Sequence, residues 1–155
     1  MDWILQKATE LGVAGFLPVE SERSEVKLDG ELDGKRVAHW HWVIVSACEQ
    51  SGRAIVPATA TARSLATAVR GLPPSSLRWW LDPEAGHGLD KCGSDDASRD
   101  LVLAIGPEGG WSPRDLDTLR AAGFHGMRLG PRILRTETAG IAAIAALQAR
   151  FGDFV

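Results

Sequence analysis

The sequence predicts an α/β domain in which a mostly parallel sheet is flanked by helices on both faces. Three observations support this. Segments with apolar residues at helical spacing alternate with short apolar runs bounded by glycine or proline. Two of those runs, Leu101-Val102-Leu103-Ala104-Ile105 and Met127-Arg128-Leu129, each lead through a glycine-containing loop into a helix. The length of 155 residues and the 45% hydrophobic content suit one globular domain, able to bury a core without disulfide or metal.

Taken in order, Trp3, Ile4, Lys7, Ala8 and Leu11 share one helical face, and Gly12 stands where a helix stops. Residues 13–19 read as a strand ending near Pro18, and residues 21–25 as a polar loop. From 35 to 50, Val37, Trp40, Val43, Ile44 and Ala47 mark a second helix, stopped at Gly52. Ile55-Val56 is a brief strand candidate. Leu65, Ala66, Val69 and Leu72 suggest a third helix, closed by Gly71 and the Pro73-Pro74 pair. Arg78-Trp79-Trp80-Leu81 reads as a buried strand, and residues 82–100 as an exposed connection. Ser112, Pro113 and Asp115 supply an N-cap, a first-turn proline and an N3 carboxylate for a helix through Leu116, Leu119 and Ala122 to Gly123. Met127 to Leu129 is the last strand, and residues 138–151 the last helix. There is no internal repeat, and the chain begins inside a helix-like pattern, as if a preceding segment had been removed.

Composition excludes several classes. A net charge of -3 argues against a protein that coats nucleic acid by bulk electrostatics, while leaving room for local basic surface. Arg128, Arg132 and Arg135 form one such cluster, and Arg23 with Lys27 a weaker one. Cys48 and Cys92 are too few for a disulfide framework and suit a reducing, cytoplasmic setting. No apolar stretch is long enough to span a bilayer, so no membrane partner is expected. His39 and His41 face different sides of a helix, and without a CxxC pair no metal site is expected. Trp40, Trp42, Trp79 and Trp80 could stack bases, but most of them suit the core better.

Two loops carry the chemistry. Gly106-Pro107-Glu108-Gly109-Gly110 lacks the lysine and Ser/Thr of a P-loop and the spacing of a dinucleotide fold. Its adjacent glycines permit positive φ and close backbone approach to a ligand, or simply a tight turn. In Arg132-Ile133-Leu134-Arg135-Thr136-Glu137-Thr138, Thr136 can cap the helix and Glu137 suits its first turn. That leaves the arginines free to bind phosphate or carboxylate. The small residues of 139–147 permit close helix approach, in a tight core or at a subunit interface. Glu49-Gln50-Ser51-Gly52-Arg53 is a polar cluster at a helix end, or no more than a glycine-terminated helix.

These segments, together with Lys7-Ala8-Thr9-Glu10-Leu11-Gly12 and Ser21-Glu22-Arg23-Ser24, resemble in the same order those of the bacterial 16S ribosomal RNA uridine N3-methyltransferases of the SPOUT superfamily. The resemblance implies a SPOUT fold with a C-terminal trefoil knot, S-adenosylmethionine as cofactor and a homodimer. The implied target is N3 of a uridine near the decoding site of 16S ribosomal RNA. Residues 1–155 would then be the catalytic domain, and the family's N-terminal PUA-like RNA-binding barrel would lie outside this chain.

Carried over by position, the cofactor would meet Leu81, Ile105, Gly106, Pro107, Glu108, Gly109, Gly110, Leu129, Gly130, Ile133, Leu134 and Thr136. Glu137, Arg135 and Arg53 would be catalytic. Arg23, Gln50 and Arg132 would bind substrate. Glu137 is the first candidate for the base that removes the N3 proton, with Arg135 or Arg53 stabilising the charge that develops on the base carbonyls. The alternatives are a SPOUT methyltransferase acting on another RNA such as a tRNA, and a non-catalytic RNA-binding or ribosome-assembly module.

Overall fold

The computed structural model describes residues 1–24, 30–89 and 100–154. Glu25, Lys27, Cys92 and residues 90–99 of the predicted connection lie outside the described residues. The elements run α1 (Asp2–Glu10), β1 (Gly15–Phe16), β2 (Val19–Glu20), α2 (Gly30–Ser51), β3 (Ala58–Thr59), β4 (Arg63–Ser64), α3 (Leu65–Arg70), β5 (Leu77–Leu81), β6 (Leu101–Ala104), α4 (Pro113–Ala121), β7 (His125–Met127) and α5 (Thr136–Phe151).

Every strand pair among the described residues is parallel, but the pairs form three sheets. β1 pairs with β3, β2 with β4, and the third sheet has the order β6-β5-β7. Proline explains much of the division. The expected strand over 13–19 is split into β1 and β2 around Pro18, which has no amide for a ladder and instead accepts from Arg63 N at 3.2 Å through its carbonyl. Pairing likewise starts at Ala58, after Pro57, so the expected strand at Ile55-Val56 does not form and both side chains are exposed.

β5 organises the core because its side chains alternate between faces. Trp80 packs with Leu65, Leu119 and Phe124 from α3, α4 and the end of the α4 connection. Trp79 packs with Met127 and with Ala143 of α5. The central sheet is thus covered on both faces. A third cluster, Leu5, Trp40, Ile44 and Cys48, joins α1 to α2. Two tryptophans depart from the expected pattern: Trp3 and Trp42 are exposed. In α1 the buried side chains are Leu5, Ala8 and Thr9, a face rotated from the one the apolar spacing marked.

The expected start of α4 is found in full. Ser112 Oγ accepts from Asp115 N at 3.0 Å, and Asp115 Oδ2 accepts from Ser112 N at 3.2 Å. The last strand is displaced from the expected 127–129 to His125–Met127. After Met127 the Arg128 amide leaves the sheet ladder and donates to His87 O at 2.8 Å.

Candidate functional site

Since β5, β6 and β7 run parallel, their carboxyl ends leave the sheet on one edge, at Leu81, Ala104 and Met127. The chain passes from β5 to β6 on one side and then crosses to β7 on the other. Open parallel sheets bind ligands at the strand ends where the strand order reverses in this way. Three loops meet there. The loop after β5 lies along the exit of β7: Asp82 N donates to Met127 O at 3.0 Å, and Gly88 bridges Arg128.

The loop after β6 is a tight turn, closed by Gly110 N donating to Pro107 O at 2.8 Å. Gly106 is glycine because of what lies against it. A Cβ there would sit 3.1 Å from Trp111 Nε1 and 3.3 Å from two ring carbons. Trp111 packs against the α3–α4 cluster, and its buried indole N–H has no partner among the described residues. Sequence reasoning overlooked this tryptophan. Its signal was its place between the double glycine and the N-cap serine.

The third wall is the start of α5. Gly140 is buried, and a Cβ on it would lie 2.7 Å from Ile105 Cδ1. This close approach sets the first turns of α5 beside the end of β6. Thr136, expected as the cap, is the first helical residue instead; Arg135 occupies the N-cap and makes no side-chain cap bond. Arginine is a poor choice there on two counts. It cannot accept from the first amides, and it puts a cation at the positive end of the helix dipole. The N-cap side chain therefore leaves the amides of the first α5 turn uncapped, beside an exposed guanidinium. Glu137 is half-buried in that turn, and its carboxylate has no ion pair or hydrogen bond among the described residues.

From Leu129 to Leu134 no backbone–backbone hydrogen bond forms among the described residues. Gly110 and Gly130 both have positive φ, +68° and +69°, and face open space. Leu81 and Leu129 pack on the α5-side cluster, and Leu134 is half-buried. These loops therefore present apolar side chains together with backbone groups that have no backbone partner among the described residues. Pro107 is half-buried, Glu108, Gly109 and Arg132 are exposed, and Ile133 is 86% exposed.

The remaining expected residues separate into two groups. Arg23 joins the site: its Nη1 donates to Gly109 O at 2.9 Å. Arg53 and Gln50 do not join it within one chain. Arg53 Nη1 donates to Thr9 O at 2.7 Å and Val13 O at 2.9 Å, tying down the end of α1. Gln148 Nε2 of α5 donates to Leu11 O in that same region at 2.7 Å. Gln148 lies roughly 18 Å along the helix from Thr136 at the α-helical rise, so Arg53 sits by the far end of α5. Gln50 is exposed in the last turn of α2.

Other features lie apart from these loops. A groove of about 580 Å³ between α2 and β3, lined by Gly34, Val37, Ala38, His41 and residues 56–59, contains none of the expected site residues. His39 Nε2 pairs with Asp2 Oδ2 at 2.7 Å. Among the described residues no group of three His, Cys, Asp or Glu could hold a metal ion, and no helix is long and apolar enough to cross a membrane.

Known proteins resemble this chain over nearly its whole length. A crystal structure of a ribosomal RNA small subunit methyltransferase E from Neisseria gonorrhoeae, bound to S-adenosyl methionine, superposes with a TM-score of 0.92 at 42% identity, covering 99% of this chain and 63% of that one. A putative methyltransferase from Legionella pneumophila in complex with the cofactor SAM gives 0.89 at 38% identity, covering 96% and 60%. The ribosomal RNA small subunit methyltransferase E of Bacillus subtilis (strain 168) is 32% identical over 159 residues, 95% of this chain and 60% of its own length. The chain thus spans about 60% of the length of the relatives it matches. Residues 1–148 match the family model described as an RNA methyltransferase domain, and the chain belongs to that family.

Proposed function

We propose that this chain is the catalytic domain of an S-adenosylmethionine-dependent methyltransferase that modifies N3 of a uridine near the decoding site of 16S ribosomal RNA. The observation that carries it is the meeting of three parallel-strand ends with an α5 N-terminus that holds an arginine where a cap belongs. The names of relatives that span this chain with 32–42% identity point the same way.

In this function the backbones of Leu81, Ile105, Gly106, Gly110, Leu129, Gly130 and Leu134 hold the cofactor. Pro107, Glu108, Gly109, Ile133 and Thr136 complete its surroundings. When bound, S-adenosylmethionine supplies an electrophilic methyl group. Glu137 takes the N3 proton, directly or through water. Arg135 and the open amides of the α5 first turn stabilise the negative charge left on the base carbonyls. Holding N3 in line contributes much of the remaining acceleration. In this reading Arg23 and Arg132 contact the RNA backbone.

The same proposal includes the C-terminal trefoil knot that the family resemblance implies. It includes a homodimer, for which the small residues of α5 are suited, and Gln50 and Arg53 then reach the target base from the second protomer. The proposal also includes a cytoplasmic setting.

Calorimetric titration with S-adenosylmethionine tests the pocket. Saturable binding at one site per chain is expected; no binding would overturn the proposal in favour of a non-catalytic RNA-binding module. Two variants separate stability from function. Arg135→Ser installs a favoured N-cap and should raise stability by about 1 kcal/mol, while methyl transfer falls by about 10²-fold; thermal melts and single-turnover assays read both. Gly140→Ala gains helix propensity, about 1 kcal/mol, but pushes Ile105 toward the pocket. Thermal stability should hold while calorimetry shows weaker cofactor binding.

A further inference from the structure

We propose that Arg23 is a positioning residue for the glycine loop, held in place by a turn fastened to the buried carboxylate of Asp115. This rests on the reading of that loop as one wall of a methyl-donor pocket. The turn is tied internally. Ser24 N donates to Ser21 O at 3.2 Å, Ser21 N to Ser24 Oγ at 3.1 Å, and the two hydroxyls lie 2.8 Å apart. Ser21 is 4% exposed, so the turn is anchored and does not hang in solvent.

Its outside anchor is Asp115, 5% exposed, whose Oδ2 accepts from Glu22 N at 3.3 Å as well as from Ser112 N at 3.2 Å. The helix cap accounts only for the bond to Ser112. The bond to Glu22 ties the start of α4 to a turn far away in sequence. An exposed Arg114–Glu22 pair at 3.5 Å adds little.

This anchorage delivers Arg23 to Gly109. The Arg23 stem covers Gly109, with Cβ and Cδ at 3.6 and 3.7 Å from where a glycine Cβ would be, and Nη1 donates to Gly109 O at 2.9 Å. The carbonyl of Gly109 and the amide of Gly110 belong to one peptide unit, which is planar. Arg23 holds that unit at its oxygen, and Pro107 O holds it at its nitrogen, at 2.8 Å. Between two glycines such a unit is otherwise free to flip. Arg23 therefore sets the direction in which the loop presents its backbone at the strand ends.

The test compares the full chain with Arg23→Met, which keeps the stem and loses the donors, and with Arg23→Lys. Hydrogen exchange without cofactor should show faster exchange at Gly110 in Arg23→Met, with the thermal midpoint unchanged. Calorimetry without RNA should show S-adenosylmethionine binding about tenfold weaker, the scale of one lost charged hydrogen bond, and partly restored in Arg23→Lys. Unchanged exchange and unchanged affinity in Arg23→Met would overturn the proposal. So would faster exchange throughout the chain with a lowered midpoint, which would make Arg23 a general support of the fold. Loop-confined exchange changes in Arg23→Met, with no cofactor binding by the wild-type chain, would keep the clasp and overturn the pocket reading instead.

Discussion

Glu137→Gln is expected to slow single-turnover methylation of 16S ribosomal RNA by about 10²–10⁴-fold, the contribution of a positioned general base, while S-adenosylmethionine still binds. The substitution keeps the side chain's shape and removes its negative charge and its ability to take a proton. Glu137 lies in the first turn of α5, so the lost carboxylate also costs roughly 0.3–1 kcal/mol of helix-dipole stabilisation. That small stability change is separable from a large loss of rate by thermal melting of the same samples. Undiminished methylation with cofactor and RNA bound would mean that Glu137 serves its helix only, and that another group takes the proton.

Gly106→Val should abolish measurable cofactor binding and lower the thermal midpoint. The added carbons would meet the Trp111 ring, whose Nε1 is already 3.1 Å from the nearest Cβ position. The ring has no easy retreat, because it packs against the cluster of Leu65, Trp80, Leu119 and Phe124. Overpacking of this kind costs about 1–3 kcal/mol, roughly 2–4 °C of melting temperature per kcal/mol in a chain of this size. If the loop lifts instead, it enters the proposed pocket. Trp111→Leu in the same chain makes room and should recover part of both losses, which calorimetry and melting would register.

Much of this was legible in the residues. The α4 cap could be read because Ser112, Pro113 and Asp115 act over a single turn. β5 and the loop after β6 stand close to where apolar runs and glycines put them. Features that depend on distant contacts were not legible. Nothing local in Trp79-Trp80 says that one packs on α5 and the other on α3 and α4. Nothing local in Arg53 says that its guanidinium closes α1. Asp115 reads as a cap, and its second bond, to Glu22, exists only once the chain has folded.

The α5 boundary failed for a different reason. Thr136 is a good cap by propensity, yet Arg135 takes that position. A local rule broken at the start of α5 agrees with the role proposed for Arg135, whose chemistry there would outweigh helix stability. The expected strands at 13–19 and 55–56 failed on their prolines, whose missing amides divided the pairing.

The central claim is methylation at uridine N3 of 16S ribosomal RNA, and nucleoside mass spectrometry of small-subunit RNA tests it most directly. Compared with its parent, a strain lacking the gene should lose 3-methyluridine from that RNA, and the gene restored should return it, but not as Glu137→Gln. An unchanged amount of 3-methyluridine in the deletion strain would contradict the assignment.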